Sequence, residues 1–184
     1  MKWQSDRGIA LVVALMTLLL LTAVGAALTL TASVESLTAA SYRGGLQALY
    51  AADAAAEWAL TDLAAVVPDW PTLLGGSISS GFVDGPPTGT RTLADGSVVD
   101  LTHVFASASD WRPYAFGPLE RLLPPSAQPS HFYVVVLVSP DPDAPDRINV
   151  RTEAFGTRGA HKALEIKVSR RSAGVKLETW REVR

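Results

Sequence analysis

The chain contains no cysteine among its 184 residues. Without thiols it can form neither disulfide bonds nor thiolate metal sites, and it offers neither a cysteine nucleophile nor the residue that carries a lipoprotein-type lipid anchor. An extracytoplasmic location stays open, because a domain of this size buries enough surface to fold without covalent cross-links. The fold must therefore be held by an apolar core.

Charge is also scarce. Charged residues make up 18 % of the chain, against about 25 % in typical globular proteins. The net charge of −2 provides no overall basic field of the kind that attracts nucleic acid or anionic lipid. The charges are unevenly spread, since residues 44–146 carry three basic and twelve acidic side chains, whereas residues 147–184 carry ten basic and four acidic ones. The basic part of this chain is thus its C-terminal part.

The longest uncharged run extends from Ile9 to Ser33. As a helix it would be about 37 Å long, enough to cross a hydrocarbon core of about 30 Å. Lys2 and Arg7 precede it and no positive charge follows until Arg43, so the positive-inside rule predicts a cytoplasmic N-terminus and an extracytoplasmic remainder. A cleaved secretion signal is disfavoured because its apolar core is shorter, about 7–15 residues. A static single-span anchor stays open as an alternative.

The helical pattern continues beyond this span. Alanine and leucine, both strong helix formers, dominate the segment that follows. An apolar stripe recurs there at three- and four-residue spacing: Leu46, Leu49, Ala52 or Asp53, Ala56 and Leu60. Pro68 ends the pattern. We therefore predict one long helix over residues 9–66, transmembrane over 9–33 and amphipathic beyond, with Gly44-Gly45 as its weakest point.

The sequence around the start of this helix resembles a known family. A short charged leader ends in Arg7-Gly8, an apolar helix begins at once, and the stretch YRGGLQALYAADAAAEWAL follows the span. These features are similar to the N-terminus of type IV pilin-like proteins, and most of all to that of the PilX-type minor pilins. The resemblance implies that residues 1–8 are a leader peptide, that a prepilin peptidase cleaves between Gly8 and Ile9, and that Ile9 is then methylated. It also implies that the first residues of the mature helix dock against neighbouring pilins: Ile9, Ala10, Leu11, Val12 and Val13.

One position departs from the pattern of the major pilins. They carry a glutamate at the fifth mature position, where this chain has Val13. A carboxylate at membrane depth costs at least about 2.5 kcal/mol, and this helix avoids that cost while offering small residues that let helices approach closely. The departure favours a minor subunit, of either a type IV pilus or a type II secretion-like filament, over a major pilin.

The remainder of the chain predicts an antiparallel sheet. Residues 67–130 are rich in Pro, Gly and Ser and predict a loop-rich segment with one hairpin, turning at Asp95-Gly96, and a short helix near Leu119 to Leu123. Within residues 131–184, HFYVVVLVS is typical of a central strand buried on both faces, and three later segments alternate apolar and polar residues. In the last of them, Val175 and Leu177 are predicted to point inward.

These elements define the predicted fold class. It is α+β, with a long N-terminal helix, transmembrane in one half and amphipathic in the other, packed on a C-terminal antiparallel sheet in the lollipop arrangement of pilins. The sheet has four strands, or six if the hairpin joins it.

No motif for catalysis is present in the sequence. It contains no phosphate-binding loop, no G-x-S-x-G and no H-E-x-x-H, so we predict no enzyme and no cofactor. Asp141, Asp143 and Asp146 are weak candidates for calcium ligands. They lack the glycine and the distal glutamate of an EF-hand, and an acidic solvated turn is the simpler interpretation. The basic C-terminal strands alternate with glutamates, which predicts cross-strand ion pairs rather than a nucleic-acid surface.

The sequence as a whole thus predicts a non-catalytic filament subunit. Its expected partners are other minor and major pilins, the prepilin peptidase and, before assembly, the inner membrane. The precursor would span that membrane once and the mature subunit would lie in an extracytoplasmic pilus or pseudopilus. The alternative is a membrane-anchored extracytoplasmic binding module that holds an ion or ligand.

Overall fold

A computed structural model describes residues 5–108, 110–123, 130–171 and 174–183, with side chains from Ile9 onward. Residues 1–4 of the predicted leader lie outside these ranges. The chain divides into two compact units, Met1–Tyr42 and Arg43–Arg184. The boundary falls within the first helix, α1 (Ser5–Val66), which includes Gly44 and Gly45. The first unit holds the apolar part of α1, and the second holds its remainder and all other elements.

A five-stranded antiparallel sheet forms the centre of the second unit. Its strands follow one another in chain order: β3 (Arg112–Pro118), β4 (Tyr133–Pro140), β5 (Arg147–Phe155), β6 (His161–Arg171) and β7 (Gly174–Val183). The meander of β4 to β7 agrees with the strands predicted from the sequence. Strand β3 was not predicted, because Pro113 and Pro118 argue against a strand in the sequence. Both prolines are tolerated here, since β3 lies at the edge of the sheet and its register shifts between Pro113 and Ala115.

The predicted hairpin is confirmed, but it does not join the main sheet. Strands β1 (Thr90–Thr92) and β2 (Val98–Asp100) pair with each other in a separate two-stranded sheet, so the six-stranded alternative is wrong. The turn uses Gly96 at φ 83°, a conformation that glycine adopts without strain. Strand β2 stops at Asp100, because the Asp100 carboxylate accepts hydrogen bonds from the backbone N–H groups of Thr102 and His103 and so caps a helix.

Short helical elements connect the strands of the second unit, including a 3₁₀ turn at Thr157–Gly159 between β5 and β6. Helix α2 (Trp70–Leu74) follows the N-cap Asp69, and helix α3 (Leu101–Ser107) follows the N-cap Asp100. The short helix predicted near Leu119 is a single 3₁₀ turn, Leu119–Arg121.

The second half of α1 packs on one face of the sheet, mainly through alanines. The helix residues with at most 4 % exposure are Ala48, Ala51, Ala52, Ala55, Ala56, Ala59 and Leu63. Those from Ala51 to Leu63 belong to one core cluster with valines, isoleucines and a leucine of β4, β5 and β6. Leu46, which was predicted to belong to the apolar stripe, is 39 % exposed. Alanines rather than leucines pack against the sheet, because their small side chains let the helix backbone approach a surface that branched residues already fill.

The opposite face of the sheet carries a second apolar cluster. Tyr133, Val135 and Leu137 of β4 pack there with Phe116 and with Leu101 at the start of α3. Strand β4 is therefore buried on both faces, as predicted. The fold is α+β, with a long N-terminal helix packed on a C-terminal antiparallel sheet.

One residue predicted to point inward has the predicted direction but is not buried. Leu177 of β7 faces the side of the sheet on which α1 packs, but it is 43 % exposed. The reason is its place in the sheet: β7 is an edge strand, and α1 covers the middle of the sheet rather than this edge. Val175, on the same strand, does pack against the core.

Candidate functional site: the N-terminal helix

The first unit exposes an unbroken apolar helix surface. Every large apolar side chain between Ile9 and Leu37 is between 49 % and 72 % exposed. The helix is long and apolar enough to cross a membrane. Soluble proteins rarely leave contiguous apolar surfaces of this extent in water, so this surface is suited to lipid or to other apolar helices.

The threonine and serine hydroxyls between Ile9 and Ser33 form hydrogen bonds within the helix itself. Thr17 donates its hydroxyl hydrogen bond to the carbonyl of Val13 at 2.8 Å, and Thr29 donates to the carbonyl of Gly25 at 2.9 Å. Ser33 and Thr38 bond in the same way to the carbonyl four residues earlier. Because these donors need no partner outside the helix, they do not oppose transfer of the helix into hydrocarbon.

The residues predicted for processing and docking lie together at the start of this surface. Gly8 and Ile9 fall within α1. Of the docking residues, Ala10 is exposed, and the exposed fractions of the four larger ones are 62 % for Ile9, 70 % for Leu11, 54 % for Val12 and 57 % for Val13. The segment therefore presents apolar side chains all around the helix and no carboxylate.

Hydrogen bonds from the sheet hold the second half of α1 in place. The Thr152 hydroxyl on β5 donates to the carbonyl of Ala52 at 3.0 Å, and both residues are fully buried. On one flank, the Tyr114 hydroxyl donates to the Asp62 carboxylate at 2.6 Å, and burial together with this carboxylate raises the pKa of Tyr114. The helix is thus fixed by specific polar contacts as well as by its alanine face.

An arginine distant in the sequence caps the C-terminal end of α1 by donating hydrogen bonds to its last carbonyls. The last turn of the helix contains no basic residue, and its final carbonyls lack helical partners. The guanidinium of Arg170 on β6 donates to the carbonyl of Leu63 at 3.0 Å and to that of Val67. It also stacks over the ring of Trp70 at 4.8 Å. This role was not predicted from the sequence, because Arg170 and the helix end are about a hundred residues apart.

The candidate calcium ligands do not gather around a common point in the described part of the chain. There, no group of three or more His, Asp or Glu side chains is arranged to hold a metal ion. The buried Asp141 carboxylate pairs with the ammonium group of Lys167 at 2.9 Å and accepts a hydrogen bond from the backbone N–H of Asp143. The hydrogen bond from Lys167 lowers the pKa of Asp141. Asp143 and Asp146 are exposed.

The charges of the C-terminal strands pair across the outer sheet face, as predicted. Arg151 contacts Glu153 at 2.7 Å and Glu165 at 3.9 Å, and Glu165 also pairs with Arg181. His161 contacts the second oxygen of Glu153 at 2.9 Å. Burial alone would raise the pKa of Glu153, but the hydrogen bond from His161 and the charge of Arg151 outweigh it and lower that pKa. These basic groups are engaged with carboxylates.

Comparison with known proteins bears on the N-terminal helix. Residues 7–57 match the family model described as PilX N-terminal. No curated protein matches the chain, and no solved structure matches it. The family match covers Gly8, the whole docking segment and the first part of the alanine face, and it confirms the resemblance drawn from the sequence. Over residues 7–57, the chain is therefore similar to the PilX-type pilins.

Proposed function

We propose that the chain is a minor subunit of a type IV pilus or of a related secretion filament. The observation that carries this proposal is the family match over residues 7–57, which coincides with an exposed helix surface free of ionisable groups from Ile9 to Ser33. PilX-type pilins are structural proteins, and we infer a structural, non-catalytic role here. The absence of a carboxylate at Val13 supports a minor rather than a major subunit.

The precursor would begin as a single-span membrane protein. Arg7 precedes the span and Arg43 is the first basic residue after it, so the N-terminus would face the cytoplasm and the sheet-containing unit would lie outside the inner membrane. The prepilin peptidase would then cleave after Gly8, and Ile9 would become the methylated first residue.

Assembly would transfer the helix from lipid to neighbouring helices. Both environments are apolar, and the helix hydroxyls are satisfied internally, so the transfer changes little in hydrogen bonding or apolar burial. Residues 9–13 would dock first, beside the helices of other minor and major pilins. The second unit would remain outside the helical bundle, where its loops are available for recognition.

Cleavage after Gly8 is the direct test of this proposal. Intact mass and N-terminal sequence should be determined for the full chain extracted from cells that carry a prepilin peptidase. We expect a mature chain that begins at methylated Ile9, and we expect Gly8→Val to abolish cleavage. Gly25→Val is the matched control: an added Cβ at Gly25 meets nothing within 4 Å, so this variant should be cleaved normally.

Two other results would contradict the proposal. A wild-type chain that still begins at Met1 would indicate a static anchor and favour the alternative of an anchored binding module. A chain that begins between Ala23 and Ala32 would indicate ordinary secretion.

A further inference from the structure

The sheet face opposite α1 contains an open polar cleft. Over β4 this face is covered by Phe116 and by Leu101 at the start of α3. Beyond them, side chains of β5, β6 and β7 line a cleft of about 520 Å³, which we call the outer-face cleft. Sites for small ligands commonly measure about 300–1,000 Å³, so this cleft has room for one.

Paired residues of three neighbouring strands form the floor of the outer-face cleft. Asn149 of β5 pairs with Lys167 of β6, and Lys167 pairs with Thr179 of β7. Directly opposite residues of paired strands have their side chains on the same sheet face. An amide, an ammonium group and a hydroxyl therefore stand in one row. Strands β5 and β7 are two strand spacings apart, which makes this row about 9.6 Å long.

Ion pairs largely neutralise the charged side chains of the cleft. Lys167 contacts the buried carboxylate of Asp141 at 2.9 Å, and Glu165 pairs with Arg181. Asp143, which also lines the cleft, is exposed. A charged ligand would meet like charges as well as opposite ones and would compete with these pairs, whereas a neutral polar ligand would not. Carboxylates, ammonium and guanidinium groups have more acceptor or donor sites than one ion pair uses, so the paired groups can still bind hydroxyl groups.

A tryptophan gives the cleft one apolar wall. Trp111 directly precedes β3 and lines the cleft. Its side chain is half-buried, because part of it packs on the second apolar cluster. The face of an aromatic ring carries negative potential. This wall can therefore attract polarised C–H groups.

We propose that the outer-face cleft binds a neutral carbohydrate. A sugar ring offers polarised C–H groups on one face, which suit Trp111, and hydroxyl groups around its edge. Each hydroxyl can both donate and accept a hydrogen bond, and this matches a floor in which donors and acceptors lie side by side. The row from Asn149 to Thr179 is long enough for about one or two sugar rings. The inference goes beyond the proposed function and does not depend on it, because every lining residue belongs to the second unit.

Saturation-transfer NMR on the full chain, in a detergent without a sugar head group, tests the class of ligand. The probes are the neutral disaccharides maltose, cellobiose, lactose and chitobiose, and a capped neutral tripeptide represents the competing class of polar ligand. We expect at least one disaccharide at millimolar concentration to receive saturation from the protein, most strongly at its ring C–H groups. No transfer to any disaccharide, or transfer to the peptide alone, would overturn the inference.

A pair of tryptophan variants locates the binding in the cleft. Trp111→Leu keeps an apolar contact with the second cluster but removes the ring, so it should weaken disaccharide binding at least about tenfold. Trp180→Leu is the matched control, because Trp180 is 50 % exposed and shares the opposite sheet face with Ile166; it should bind as wild type does. Equal losses of affinity in the two variants would refute the assignment.

A second substitution tests the polar floor without altering the core. Thr179 is exposed, so Thr179→Val should leave the melting temperature unchanged. It removes one hydroxyl from the row and should weaken disaccharide binding about three- to tenfold. Wild-type affinity in this variant would show that the floor does not contact the ligand and would contradict the inference.

Discussion

Arg170 should stabilise the second unit more than any other basic residue of β6 and β7, and Arg170→Met tests this. Methionine keeps the apolar stem of the side chain but removes the guanidinium. The variant loses the hydrogen bonds to the carbonyls of Leu63 and Val67 and the stacking on Trp70. No residue in the last turn of α1 can replace them, since none there is basic.

The size of the effect follows from these contacts. Hydrogen bonds that involve a charged group contribute about 1.5–3 kcal/mol each, and cation–π stacking contributes about 0.5–2 kcal/mol. Arg170 is half-buried, and the contacts of one side chain are not additive, so we expect the free energy of unfolding to fall by about 2–4 kcal/mol. For a unit of this size, this lowers the melting temperature by roughly 5–15 °C.

Thermal unfolding of the full chain in detergent, followed by tryptophan fluorescence, measures this directly. Arg181→Met is the matched control on the neighbouring strand, because Arg181 is 74 % exposed and pairs with Glu165 at the surface. Exposed ion pairs contribute about 0–1 kcal/mol, so the control should melt close to wild type. Equal melting temperatures for the two variants would refute the capping role of Arg170.

Three further predictions concern the sheet. Thr152→Val should cost about 1 kcal/mol, because it removes the buried hydrogen bond to the carbonyl of Ala52; an unchanged denaturant midpoint would contradict this. Gly156→Ala should destabilise by about 1–3 kcal/mol, because the new Cβ would overlap the Phe132 ring; wild-type stability would show that the ring moves freely. The lowered pKa of Glu153 means that its ion pairs stabilise the fold above the unfolded-state pKa of about 4.3, and that this stability is lost as the pH falls through the folded-state pKa. Glu153→Gln should therefore show a weaker loss of stability below about pH 5 than wild type does, and identical pH profiles would contradict the assignment.

Local pattern predicted the parts of the fold that depend on neighbouring residues. The charge-free run from Ile9 to Ser33 predicted the apolar half of the helix, and the apolar run of β4 predicted a strand buried on both faces. Asp95-Gly96 predicted the hairpin turn. The start of the helix could also be matched to a family, because Gly8 and the residues after it form a short linear motif.

Features that depend on contacts distant in the sequence could not be predicted. The end of α1 relies on Arg170, about a hundred residues later, and nothing near Val66 indicates it. The alanine face of α1 was predicted only in part: Ala52 and Ala56 belonged to the predicted stripe and are buried, whereas Leu46 is exposed because alanine packs closer to a crowded sheet. The sheet face to which Trp180 of β7 points depends on a bulge, where the register with β6 shifts between Lys167 and Val168. The bulge interrupts the alternation from which that face would have been inferred.

A filament subunit differs from a static anchor in that it leaves the membrane and enters a filament. Filaments should be sheared from cells that express the wild-type chain or its Gly8→Val variant, and mass spectrometry should measure how much chain the filament and membrane fractions contain. We expect the filament fraction to contain the wild-type chain starting at Ile9, and we expect the variant to remain in the membrane with its leader attached. A wild-type chain found wholly in the membrane fraction of filament-bearing cells, with its leader intact, would instead identify a static membrane anchor and refute the filament function.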